Sequence, residues 1–185
     1  MACPVSVSGP IGTAASFDGT DDVLIGAAIP TTSFEDGFSV AVFVQDLSQG
    51  TQSRMYIGKP LGPGILNSFG LAVFDFSSAN VVAVLSEPMA MGTTNVLDTQ
   101  VLPAPQWHHL ALTWDGATAR AYVDGEPSGS LDVPAVGFDD SPLLVGADNN
   151  TGALAYFLTG GIDEVRIYDR PLSDTEVSAL AASVP

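Results

Sequence analysis

Positive charge is what this chain has least of. Its 185 residues hold five Lys and Arg against 21 Asp and Glu, a formal net charge of −16. Nucleic acid is bound by neutralising phosphates with cations, so this balance excludes it as a partner, and an anionic membrane surface is equally poor. The excess acid serves solubility, all the more in salty surroundings where repulsion is screened. It also suits divalent cations, which take oxygen ligands. Cysteine is almost missing: Cys3 is the one in the chain. An intramolecular disulfide is therefore impossible, and a lone cysteine near the N-terminus reads as inert.

Long hydrophobic runs are missing too. None approaches the roughly 20 residues of a membrane-spanning helix, so no membrane insertion is expected. The opening MACPVSVSGP has neither the basic segment nor the apolar core of a signal peptide. Two settings fit. One is an excised module of an extracellular or cell-surface protein, with an added Met. The other is a protein complete as given that reaches its place without secretion, as virion proteins do. Histidine is confined to His108 and His109. Adjacent strand residues face opposite ways, so the two cannot chelate one metal together. Their simplest reading is as packed or hydrogen-bonded side chains.

Apolar residues, by contrast, make up 46% of the chain, and the length fits one domain, residues 1–185, with a sizeable core. Short apolar runs alternate with Gly, Pro, Asp and Asn clusters throughout, the pattern of an all-β sandwich or barrel. Candidate strands lie at about 12–17, 22–26, 37–45, 53–59, 69–76, 79–86, 106–114, 118–124, 127–132, 142–147, 154–159 and 161–169. FSVAVFVQD puts Phe38, Val40, Val42 and Val44 on one face, and Ser39, Ala41, Phe43 and Gln45 on the other. Both faces are apolar enough to predict a strand inside a sheet, covered on both sides. FGLAVFDFSS and NVVAVLSE form a hairpin, and residues 88–105 a long, weakly patterned connection in which Met89 and Met91 fill gaps. Trp107 to Leu131 is a meander turned at Asp115-Gly116 and Asp124-Gly125.

The closing stretch FLTGGIDEVRIYDRPLSDTEVSAL is a strand followed by a short helix. Alternation places Asp163, Val165 and Ile167 on one face and Ile162, Glu164, Arg166 and Tyr168 on the other, and the β-branched pair marks the first as the core face. Ser173 and Glu176 form a capping box, with Leu172 and Val177 as its hydrophobic staple. The helix is too short to stand alone, so Leu172, Val177 and Leu180 dock on the body.

GIDEVRIYDRPLSDTEVSAL resembles the closing strand and helix of laminin G-like domains of the concanavalin A-like lectin/glucanase superfamily. WHHLALTWDGATARAYVDG is similar to that family's central hairpin, and ASFDGTDDVLIG to its opening strands. The resemblance implies a jelly-roll β-sandwich of two antiparallel sheets with one short C-terminal helix. It makes Trp107 a structural aromatic, and it puts Phe43 where relatives often carry Trp. The superfamily hosts lectins, adhesion domains, hydrolases and virion parts, so the fold alone does not give the function.

Three chemistries can be weighed on the residues. The glucanases of the superfamily carry their carboxylate pair as E-x-D-x-E or E-x-D-x-x-E on one strand; neither spacing occurs here, so no enzyme is expected and a glycoside hydrolase is the weakest reading. Calcium is better supported. FDGTDD offers Asp18, Asp21, Asp22 and carbonyls near Gly19. In related modules a structural calcium joins such a loop to an Asp on the closing strand, which by motif match is Asp163. The alternative is an Asp-Gly turn, with Asp163 as a hydrogen-bonding strut. The third chemistry is glycan recognition. The GADNN loop, with Asp148, Asn149 and Asn150, resembles the polar rims that hold calcium or sugar, and Tyr56, Trp114 and Tyr156 are candidate aromatic platforms. Asn149 also opens a glycosylation sequon. The expected function is non-catalytic recognition of a glycan or a protein surface; the alternative is a virion or other assembly protein, a capsid decoration or fibre domain, homo-oligomeric or larger.

Overall fold

The computed structural model describes residues 2–29, 34, 36–48, 50–64, 66–88 and 94–183. Two antiparallel sheets carry the fold. The seven-stranded sheet runs β1 (Val5–Ser8), β2 (Thr13–Asp18), β15 (Thr159–Tyr168), β4 (Phe38–Asp46), β9 (Trp107–Trp114), β10 (Thr118–Val123) and β11 (Glu126–Asp132). The six-stranded sheet runs β3 (Leu24–Ala28), β12 (Pro142–Val145), β5 (Arg54–Pro60), β6 (Asn67–Val73), β7 (Val81–Ser86) and β8 (Thr94–Asp98). A small hairpin, β13 (Asp148–Asn150) with β14 (Ala153–Ala155), stands apart, and α1 (Asp174–Ala181) closes the chain. This is the jelly-roll sandwich that the pattern of short strands implies.

The core lies between the two sheets. β4 pairs with β9 so that Val42 faces Leu110 and Val40 faces Leu112. Phe38, Val40, Val42 and Val44 then pack with Leu110, Leu112 and Trp114 against Ile57, Phe69, Leu71 and Leu85 of the other sheet. Full burial of each such side chain contributes about 1.5–3 kcal/mol. The other face of β4 is covered as well. Ala41 lies with Ala111 and Tyr122 beneath Leu172 and Val177 of the α1 segment, and the Phe43 ring packs on His109 at 4.9 Å.

The helix start forms as its sequence dictates. Ser173 Oγ accepts from the Glu176 N–H at 3.3 Å, and Glu176 Oε2 accepts from the Ser173 N–H at 2.9 Å. Leu172 and Val177 are both buried.

The strand reading needs correction in five places. β1, β8 and β13 were not expected: β1 and β8 bury too little to give an alternation, with Leu97 the one buried residue of β8, and β13 is only three residues long. The connection expected at 88–105 therefore contains a strand, while Met89 and Met91 lie outside the described residues. The 69–76 run stops at Val73, and Asp75–Ser77 form a 3-10 turn instead. The 154–159 run is split at Tyr156, whose φ of 55° turns the chain.

A further correction concerns faces. Ile162 pairs with Val44 and Asp163 with Phe43, but Arg166 then pairs with Ala41, so a bulge inserts an extra residue. Glu164 at its centre has a φ of 49°. The bulge resets the alternation. Ile162 and Ile167 face the core, Asp163 and Arg166 share the opposite face, and Val165 is 37% exposed. The expected core face of Asp163, Val165 and Ile167 holds for Ile167 alone.

Candidate functional site

Asp18, Asp21 and Asp22 are brought together at the turn after β2, with one carboxylate oxygen of each within 4.8 Å of the others. The loop also satisfies itself. Asp18 Oδ1 accepts from the Thr20 N–H at 2.8 Å, and Asp22 Oδ2 from the Asp18 N–H at 3.1 Å. Gly19 has a φ of 80° and sits against Thr159, where a Cβ would meet Oγ1 at 2.0 Å. Glycine is required there for the turn and the close approach.

Asp163 does not join this cluster. Asp18 pairs with Thr159, so Asp163 lies four residues further along β15, roughly 13 Å at the rise of a strand. Its Oδ2 accepts from the Ile11 N–H at 3.0 Å and its Oδ1 from the Glu164 N–H at 2.9 Å. Asp163 is thus a strut that ties the β1–β2 turn to the bulge. Gly9 makes room for it, since a Cβ there would stand 2.5 Å from Asp163 Oδ2.

Two of the three aromatic candidates are packing residues. Trp114 is buried in the core and donates Nε1–H to Val133 O at 2.8 Å. Tyr56 is fully buried and donates its hydroxyl to Asp46 Oδ2 at 2.6 Å, beside the Arg54–Asp46 ion pair at 2.6 Å. Burial, with the Asp46 charge second, pushes the Tyr56 hydroxyl well above its ordinary range. The histidines are structural as well. His108 bonds Asp124 Oδ2 at 2.8 Å and Pro103 O at 3.1 Å. His109 is buried beside Phe43, and burial pushes it down to about 4, so it is neutral.

Tyr156 is different, and so is Asp148. The β13–β14 hairpin closes through Thr151 and Gly152, both at positive φ, with Asn149 Oδ1 accepting from the Gly152 N–H at 2.9 Å. Tyr156 O then accepts from the Met55 N–H at 2.9 Å, which fixes the segment to β5. Asn149 and Asn150 are half-buried in the hairpin; neither lines the cavity described next.

That cavity is about 390 Å³ in volume and lies between the hairpin, the Asp75–Ser77 turn and strands β6, β7 and β8. Phe74 and Phe76 stack there with centroids 5.3 Å apart and planes 14° apart, and Tyr156 meets Phe74 edge-on at 6.1 Å. Val84 and Val96 complete the apolar walls, and Asp75 adds a carboxylate. Asp148 lies within as well, 2% exposed, where Asn67 Nδ2 donates to its Oδ2 at 2.9 Å and the Asn149 N–H to its Oδ1 at 2.7 Å. Burial raises the Asp148 carboxyl, opposed by those two donors. Asn67 Oδ1 is buried and has no partner among the described residues. An aromatic wall beside convergent polar atoms is the usual form of a small-ligand site. Asn67, Phe74 and Phe76 were not foreseen. The one local signal was a Phe-Asp-Phe triplet at the end of an apolar run.

The charges around the site are one-sided. Each of the five basic residues is held by a carboxylate: Arg54 by Asp46, Lys59 by Asp139, Arg120 by Asp115, Arg166 by Glu164 and Arg170 by Glu176. None of them lines the cavity.

Known proteins share this architecture. The sushi, von Willebrand factor type A, EGF and pentraxin domain-containing protein 1 of Rattus norvegicus is 32% identical over 88 residues, which is 43% of this chain and 2% of that protein. The binding domain of Paraclostridial Mosquitocidal Protein 1 superposes with a TM-score of 0.77 at 14% identity, over 97% of this chain and 45% of that one. Domain 4 of AbnA, a GH43 extracellular arabinanase from Geobacillus stearothermophilus solved with arabinotriose, gives 0.70 at 21% identity, over 98% and 82%. The chain thus spans a small part of its curated relative and under half of the toxin chain. At these identities the solved structures speak for the fold alone. A laminin G-like model described as the concanavalin A-like lectin/glucanases superfamily matches residues 17–178, and the chain belongs to that family.

Proposed function

We propose that the chain is a non-catalytic recognition module that binds a glycan carrying no negative charge in the cavity between Phe76, Tyr156 and the Asn67–Asp148 pair. The observation that carries this reading is the pairing of aromatic walls with a buried acceptor, Asn67 Oδ1, that no group among the described residues satisfies. A sugar ring has an apolar face for such a wall and hydroxyl donors for such an oxygen. With every Lys and Arg already paired, an anionic sugar would enter an acidic site with no counter-charge. The arabinotriose seen with the arabinanase domain supports a glycan reading of the fold by analogy. Such a module meets its ligand outside the cell.

Both Asp148 oxygens accept hydrogen bonds within the protein, which suits a positioning role and not that of a glycosidase acid. The test is a titration by NMR with neutral and anionic oligosaccharides. Shifts confined to the cavity with neutral sugars support the reading; binding of sulfated or uronic sugars alone defeats it. No reducing sugar should be released from glucans, galactans or alginates.

Calcium belongs to this reading as a separate structural element. The cluster of Asp18, Asp21 and Asp22 fits a hard cation by ligand type and spacing. These residues would hold it, and the ion would stiffen the β2–β3 turn, to which Ala2 is tied by its N–H to Asp21 O at 3.0 Å.

A second reading, assembly through a sheet edge, is favoured by one observation. β1 and β3 are outer strands of the two sheets and expose Val5, Val7, Leu24 and Ile25, and residues 1–17 carry no charged side chain. Sedimentation of the wild type and of Val5→Lys tests it: an oligomer that the substitution dissociates supports assembly, a monomer in both defeats it.

A further inference from the structure

We propose that the glycan taken by the cavity carries a free ammonium group, so that the ligand class is an amino sugar and not a neutral or N-acetylated one. The inference rests on the glycan reading of the same cavity. Asn67 and Asp148, joined by a hydrogen bond, both line the cavity. The pair holds three acceptor oxygens, both carboxylate oxygens of Asp148 and Oδ1 of Asn67, the last without a partner among the described residues. One N–H of Asn67 Nδ2 is given to Asp148, which leaves a single donor on the pair. Acceptors outnumber donors there, and an ammonium group offers three donors and accepts none.

Charge points the same way. Asp148 is a carboxylate 2% exposed, with amide donors but no cation beside it. Asp75 adds a second carboxylate to the same cavity, and no Lys, Arg or His lines it. A buried carboxylate without a counter-ion is costly, and a ligand ammonium would supply the missing charge. The walls agree: Phe74, Phe76 and Tyr156 line the cavity, and aromatic rings attract cations. The whole molecule, at −16, draws cations toward it. An N-acetyl group would remove the charge and bring a carbonyl acceptor against three acceptors.

Calorimetric titration of the full chain near neutral pH with a glucosamine trimer, its fully N-acetylated counterpart and cellotriose tests this. The glucosamine trimer is expected to bind at least about tenfold more tightly than cellotriose. Asp148→Asn should abolish that preference, whereas Asp169→Asn, which removes an exposed charge that does not line the cavity, should preserve it. Phe76 is 66% exposed, so Phe76→Ala keeps the fold and should weaken all three sugars even if Asp148→Asn folds poorly. Equal affinities, or tightest binding of the N-acetylated trimer, would overturn the ammonium inference and leave the glycan reading standing. A preference that survives Asp148→Asn but vanishes in salt would also overturn it, as attraction to net charge alone. Absence of binding by all three would sink both readings of the cavity.

Discussion

Asn67 donates an amide N–H to the buried carboxylate of Asp148 at 2.9 Å across 81 residues of sequence, and its own Oδ1 has no partner among the described residues. The pair joins the start of β6 to the start of β13, and it anchors the polar side of the cavity whose other side is Phe74, Phe76 and Tyr156.

Phe76 gives the cleanest mutational probe of that cavity. Its ring is exposed and touches the stack from outside, so Phe76→Ala should leave the denaturant midpoint within error of wild type. An aromatic contact is worth about 0.5–1.5 kcal/mol, so sugar affinity should fall about two- to tenfold, read by calorimetry. Unchanged affinity would remove Phe76 from the site.

The helix start is the part of the fold most directly legible in the sequence. Ser173→Ala should destabilise the protein by about 0.5–2 kcal/mol in urea unfolding, because the Glu176 N–H loses its acceptor. Leu172→Ala or Val177→Ala should be worse, since each leaves a cavity under a buried contact. A wild-type midpoint for Ser173→Ala would mean that the cap does not hold.

Local signals of this kind account for how much of the fold could be read in advance. Alternation in FSVAVFVQD, Asp-Gly turns and a capping box all act within a few residues, and the two sheets follow from them. The site was less legible because it is made by pairing distant strands. Asp148 and Tyr156 could be singled out, but nothing near Asn67 or Phe76 announces that β6 ends beside the hairpin that carries them. Glu164 explains the miss at Asp163. A bulge centred on a non-glycine residue at a φ of 49° leaves no mark in an alternating strand, yet it turns Asp163 away from the core. The missing resolution at β1 and β8 has a simpler cause: edge strands bury too little to show a period.

His109 makes a prediction about pH. Burial holds it at about 4 in the folded state against an ordinary 6.5, so above pH 6.5 it is neutral whether folded or not. Between pH 6.5 and about 4 the unfolded chain takes a proton that the folded chain refuses. Stability is therefore lost as pH falls through that window, by about 3 kcal/mol in all, and is flat with respect to this group below it. Urea midpoints across the window should fall more steeply for wild type than for His109→Phe. Parallel slopes would show that His109 is not a buried neutral base.

The Asp18–Asp22 turn predicts a response to calcium that does not pass through Asp163. Wild-type Tm should fall in chelator and recover with calcium, by an amount equivalent to about 2.7 kcal/mol at a hundredfold excess over Kd. Asp22→Asn should be insensitive, and Asp163→Asn should keep the wild-type response, because its carboxylate serves Ile11 and Glu164. A metal-free sample indifferent to both chelator and calcium would leave the three carboxylates as a self-satisfied turn.

The most direct measurement of the central claim is a crystal structure of the protein with its best-binding oligosaccharide. A sugar ring should lie against Phe76 or Tyr156, with a donor about 2.7–3.2 Å from Asn67 Oδ1. A sugar seated elsewhere, whether at the Asp18–Asp22 turn or in the cleft of Pro10, Phe43, Trp107 and His109 on the other sheet, with nothing between Phe76 and Asp148, would contradict the account.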